Sequence, residues 1–135
     1  MSGACLSIDR QFFATREEVF ADIARTGFWP TTYISQPSPE LPLHCHAHDI
    51  VGYLVKGETY ILDGDGQRQP MSAGDRLVLP AGSVHAEGEV TEELVYIVTT
   101  ERAEPFLSAL LPLDAARWPE RVPAKMPPEV LAAFS

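Results

Sequence analysis

Residues 43–57 read "LHCHAHDIVGYLVKG", three histidines at alternate positions followed by an apolar run that ends in glycine. The chain holds four histidines, and the fourth, His85, closes a second stretch, "GDRLVLPAGSVH", at residues 74–85. Successive side chains of an extended strand point to opposite faces. His44, His46 and His48 therefore share one wall if residues 43–50 stay extended, and Cys45 faces the other way. Imidazole is the commonest protein ligand of transition metals, and converging ring nitrogens suit Fe, Zn, Cu, Ni or Mn better than Mg or Ca. A solvated histidine patch is the plain alternative.

Around these stretches the composition is that of one globular domain. The 135 residues suffice for a single core, with 45% hydrophobic and 21% charged residues. Nineteen acidic against ten basic side chains give a formal net charge of -9, which repels nucleic-acid phosphates and anionic lipid. No apolar run is long enough to cross a bilayer and the opening residues carry no hydrophobic leader, so the expected location is cytoplasmic. Cys5 and Cys45 make no disulfide framework, and both read as small buried hydrophobes.

The segment "TREEVFADIARTG" predicts a helix: Thr15 caps it, Glu18 completes a capping box and Gly27 stops it. Val19, Phe20, Ile23 and Ala24 form its expected apolar face. An edge strand follows before Pro37, Pro39 and Pro42 break the pattern. From residue 50 to Thr100 short apolar strands alternate with Gly- and Pro-rich turns, the pattern of a small antiparallel sandwich or barrel with its core at about 30–100. Gly57, Gly74 and Gly82 stand where turns need positive φ or close approach, and Pro80 stiffens the turn that delivers His85. Residues 101–135 read as an exterior wrap with short helices near 105–111 and 128–134. No helix-turn-helix pattern follows the strands, which argues against a DNA-binding regulator.

The two histidine stretches resemble the paired motifs of the cupin superfamily, small metal-binding β-barrels of the double-stranded β-helix or jelly-roll type. In the first motif His44, His46 and Gly57 fall in register, but the glutamate position is Ile50. In the second, Gly74, Pro80, Gly82 and His85 match, and the final asparagine position is Glu89. The resemblance covers residues 42–100 and, as in compact bacterial cupins, the motifs lie 16 residues apart. It implies His44, His46 and His85 as ligands of one divalent transition metal, with Fe(II) the first choice and Zn, Ni, Mn or Cu the others. It also implies a homodimer.

With Ile50 in place of the glutamate, the ligand set resembles the three-histidine face of the thiol and diketone dioxygenases. The leading expectation is thus a mononuclear non-haem iron dioxygenase acting on a small molecule. The alternatives are a non-catalytic small-molecule or sugar-binding cupin, and a metal-dependent isomerase or lyase. His48 is a candidate fourth ligand or general base. Glu87 and Glu89 share the face of His85 on an ideal strand, and either can donate a carboxylate to the metal or take a proton. Tyr53, Tyr60 and Tyr96 are candidates to line the cavity, and Asp75 reads as turn structure.

Overall fold

The computed structural model describes residues 5–102 and 110–128. Along the chain run β1 (Ser7–Asp9), α1 (Arg16–Thr26), β2 (Trp29–Ser35), β3 (Ile50–Lys56), β4 (Glu58–Leu62), β5 (Arg68–Ser72), β6 (Arg76–Leu79), β7 (Ala86–Glu87) and β8 (Leu94–Thr100). A single 3-10 turn follows at Ala115–Arg117. The expected helices at 105–111 and 128–134 fall largely outside the described residues.

Two antiparallel sheets face one another, a five-stranded one in the order β1-β6-β3-β8-β2 and a three-stranded one in the order β5-β4-β7. Ile50, Leu54, Leu77, Leu79, Leu94 and Val98 from the first meet Ile61 and Met71 from the second in one buried core. The chain changes sheets between β3 and β4 at Gly57, whose φ of 105° and position against Leu94 leave no room for a side chain.

The expected closed barrel is not found among the described residues; the architecture is an open sandwich. The prolines at 37, 39 and 42 supply the physical reason, because they have no N–H to give to a ladder. Between β2 and β3 the described chain therefore makes only isolated bridges, Ser38 with Val90, His44 with His85 and Cys45 with Leu113.

β3 is the central strand of the larger sheet and is buried on both faces, which accounts for its unbroken apolar sequence. Its inner face holds Ile50, Gly52 and Leu54. Val51 and Tyr53 point outward under α1. The helix begins with the Thr15–Glu18 capping box and ends at Gly27 in the left-handed region. Its buried face is Val19, Asp22 and Ile23, whereas Phe20 is 56% exposed and Ala24 is exposed as well. The helix is turned because Asp22 has partners beneath it. It accepts hydrogen bonds from the Tyr53 hydroxyl at 2.5 Å, from Arg76 at 2.8 Å and from Arg25. Tyr53 is thereby part of the helix-to-sheet contact and not a cavity residue. Cys45 is buried as expected, but Cys5 is exposed. No helix among the described residues is long and apolar enough to cross a membrane.

Replacing Asp22 leaves the buried Tyr53 phenol without its acceptor and takes from Arg76 one of its two carboxylate partners, the other being Asp9, a loss on the order of 3 kcal/mol. Asp22→Ala is expected to lower the denaturation midpoint accordingly while Phe20→Ala changes it little; equilibrium urea unfolding measures both.

Candidate metal centre

The His44 and His85 segments lie side by side. The His44 amide donates to the His85 carbonyl at 2.8 Å, and the His85 amide returns the bond at 2.9 Å. The turn before His85 is tied to the same segment, since the Gly82 amide donates to the His46 carbonyl at 2.9 Å and the Ala81 amide to Asp49 Oδ1 at 2.8 Å. Trp118 lies across Gly82, where a Cβ would stand 2.5 Å from its indole nitrogen.

These ties bring three imidazoles into a triangle with ring centroids 4.7, 5.0 and 5.1 Å apart. Each ring is oriented through its back nitrogen. Nδ1 of His44 lies 2.8 Å from the Pro42 carbonyl, that of His85 3.0 Å from the Ser83 carbonyl, and that of His46 3.3 Å from the Leu111 carbonyl. A carbonyl only accepts, so each Nδ1 carries its proton and each Nε2 keeps a free lone pair.

Glu87 completes the group from β7, two residues beyond His85 on the same face. Its Oε2 lies 3.3 Å from His44 Nε2 and 3.7 Å from His85 Nε2, and the donor atoms of all four residues fall within 4.8 Å of one another. His44 Nε2, His85 Nε2 and Glu87 Oε2 are all buried without a hydrogen-bond partner. Leaving three such atoms unsatisfied costs on the order of 1 to 3 kcal/mol each. Three neutral imidazoles and one carboxylate are the donor set of a divalent transition metal, and an ion among them removes the deficit.

Protonation follows from the same contacts. Burial disfavours charge on all three rings. On His44 the adjacent Glu87 carboxylate outweighs that burial and raises the imidazole above its ordinary value. His46 feels burial and the neighbouring His85 and His44, and falls to about 3. Burial likewise lowers His85. The imidazoles hold the Glu87 carboxyl well below the usual carboxylate range in spite of its own burial.

The arrangement corrects the expectation of a neutral three-histidine face. Ile50 is packed in the core, and a carboxylate reaches the three imidazoles from the second histidine stretch, as Glu87. His48 lies outside the group. The chain bends at residues 47–48, so the extended run that would align His48 with His46 is broken, and His48 Nδ1 lies 3.6 Å from Glu101 instead. Glu89 is exposed because β7 ends at Glu87. Cys45 faces away, its backbone paired with Leu113.

Beside the cluster lies a cavity of about 80 Å³ that His46, His85 and Glu87 border. Tyr96 lines it, as expected; Tyr60 does not, its hydroxyl donating to Glu40 at 2.6 Å. Tyr33, which sequence reading passed over, stands directly opposite Tyr96 in the β2–β8 register and lines the cavity too. Its signal was the alternation within "TTYIS", legible only once β2 is known to be an edge of the inner face. Burial, and then the nearby Glu87 charge, raise both phenols above their ordinary value.

A family model described as the cupin domain matches residues 32–100, just over half of the chain. The chain belongs to the cupin domain family. Solved structures similar to this cupin include a DUF861 family protein from Thermotoga maritima, with a TM-score of 0.51 and 15% identity over 70% of this chain and 98% of that one. A DMSP lyase from Ruegeria pomeroyi has a TM-score of 0.52 and 16% identity over 69% of this chain and 45% of that one. A cupin-2 domain containing protein from Shewanella frigidimarina reaches 0.47 with 25% identity over 56% of this chain and 71% of that one. None of the curated proteins matches.

A metal entering this cluster must displace the proton that Glu87 favours on His44. Affinity for Zn(II) is therefore expected to fall as pH drops through and below the raised His44 value, by about tenfold per pH unit, and to level off above it. Competition titrations from pH 5.5 to 8.5 measure the slope. A flat profile would count against His44 as a ligand.

Proposed function

We propose that this cupin is a mononuclear metal enzyme in which His44, His46, His85 and Glu87 hold one divalent ion, with Fe(II) the first choice and dioxygenase chemistry on a small organic molecule the leading activity. The observation that carries the reading is the convergence of buried, unpartnered donor atoms on the edge of a cavity. Held by these four side chains, a divalent ion would border the cavity and could take a small molecule from that side. When bound, such an ion supplies Lewis acidity and, as Fe(II), a means of activating dioxygen.

The chain's own residues do the rest. The three Nδ1 contacts fix the rings, Glu87 adds the one negative charge, and aliphatic side chains around the cavity keep water from the reacting groups. A second reading, as an isomerase or lyase, is favoured by one feature: the Glu87 side chain borders the cavity and keeps 43% of its surface exposed although Oε2 is buried, which leaves a carboxylate within reach of a bound molecule. A sugar-binding role draws little support from walls with few hydrogen-bonding groups.

Pairing with a second copy also forms part of the proposal. β2 is a sheet edge, and Trp29 and Ile34 on it are 58% and 49% exposed. Light scattering is expected to give twice the chain mass; a monomer at micromolar concentration would contradict this.

Elemental analysis of untagged protein is expected to find one transition metal per chain, lost in His85→Ala and retained in His48→Ala. Oxygen uptake by the Fe(II)-loaded protein with a panel of thiols, diketones and catechols separates the readings. Consumption supports the dioxygenase, and turnover of a substrate without consumption moves the assignment to isomerase or lyase.

A further inference from the structure

The cavity restricts what the metal centre can take, an inference that rests on the metal-enzyme reading above. Its aliphatic walls come from Ile50, Leu77, Leu79 and Val98 of the larger sheet and Ile61 of the smaller. Among the described lining residues Glu87 is the only charged one. A divalent ion on three neutral imidazoles and one carboxylate carries a residual charge of about +1 in an apolar setting, where one further negative charge is strongly favoured. At about 80 Å³ the cavity accommodates on the order of six non-hydrogen atoms, judged by the space one water needs.

Two residues shape the inner end. Tyr96 is 8% exposed and its side chain lines the cavity together with His46, His85 and Glu87. Gly52 lies on the inner face of β3 opposite Val98 and lines the same cavity. Glycine weakens a strand interior, and here neither backbone nor crowding asks for it. Its φ is not in the left-handed region, and an added Cβ would meet only Tyr96 Cδ1, at an ordinary 3.7 Å. What the missing side chain provides is room beside the Tyr96 ring.

We propose that the cavity takes a small organic monoanion, a carboxylate with an adjacent oxygen donor and a short aliphatic body, which chelates the ion, accepts a hydrogen bond from Tyr96 and occupies the space that Gly52 leaves open. Tyr96 and Gly52 are then specificity-determining residues. Neutral polyols of the same size lack the charge, and larger polyanions exceed the volume.

Co(II)-loaded protein titrated with lactate, pyruvate and glycerol tests this, read by the visible absorption of Co(II) and by calorimetry. Lactate or pyruvate is expected to bind one to one and change the spectrum, while glycerol, of equal size and no charge, does not. Tyr96→Phe is expected to weaken acid binding by roughly tenfold to a hundredfold at unchanged Co(II) content. Gly52→Ala is expected to melt at or above the parental temperature and yet bind the acid at least fivefold more weakly. Glycerol binding as well as lactate, or acid affinity unaltered in both variants, would overturn the proposal. Failure to take up Co(II) at all would overturn the metal reading beneath it, and the metal content distinguishes the two failures.

Discussion

Two backbone hydrogen bonds between His44 and His85 hold together everything that makes this site. They join a segment too rich in proline to enter a ladder to a turn that only Gly82 can make against Trp118. Because His44 and His85 are directly opposed, their side chains rise from the same face. His46, on the far side of Cys45, closes the triangle. Glu87 needs only the two-residue repeat of β7 to join them. The site is thus fixed by main-chain geometry on two rigid segments, and its side chains have little freedom to lose when an ion binds.

The electrostatics of the cluster have the same origin. Burial strips the rings of water, and the Nδ1 contacts use the one proton each neutral ring carries. The inward atoms are left as bare acceptors facing a carboxylate. Like acceptors in a dry pocket repel, and the Glu87 carboxylate accordingly favours a proton on His44. That proton is what a metal entering the cluster would have to displace. The outer face of the same sheet spends its polar groups differently: Asp22, Tyr53 and Arg76 satisfy one another and fasten the helix. One buried polar group is closed on itself, and the other is open toward a cavity.

Much of this was legible in the sequence. The capping box at Thr15 and Glu18, the stop at Gly27, the turns at Gly57 and Gly82, and the three histidines that converge all follow from local chemistry. What was not legible depended on how far a strand persists. An ideal strand through residue 50 would align His48 with His46, but the bend at residues 47–48 turns His48 toward Glu101. The same uncertainty left Glu87 and Glu89 equivalent until β7 was seen to end between them. Phe20 looked like a core residue by periodicity, and the buried partners of Asp22 rotated the helix away from it. Barrel closure was beyond local reading, because it depends on which distant strands can donate hydrogen bonds.

The central claim is that one metal ion is held by three imidazoles and a carboxylate drawn from the second histidine stretch. Anomalous scattering from crystals of the Co(II)-loaded protein tests it most directly. The expected result is one site per chain within bonding distance of Nε2 of His44, His46 and His85 and of a Glu87 oxygen. An ion bound at His48 and Glu101, or one that leaves Glu87 uncoordinated, would contradict the account.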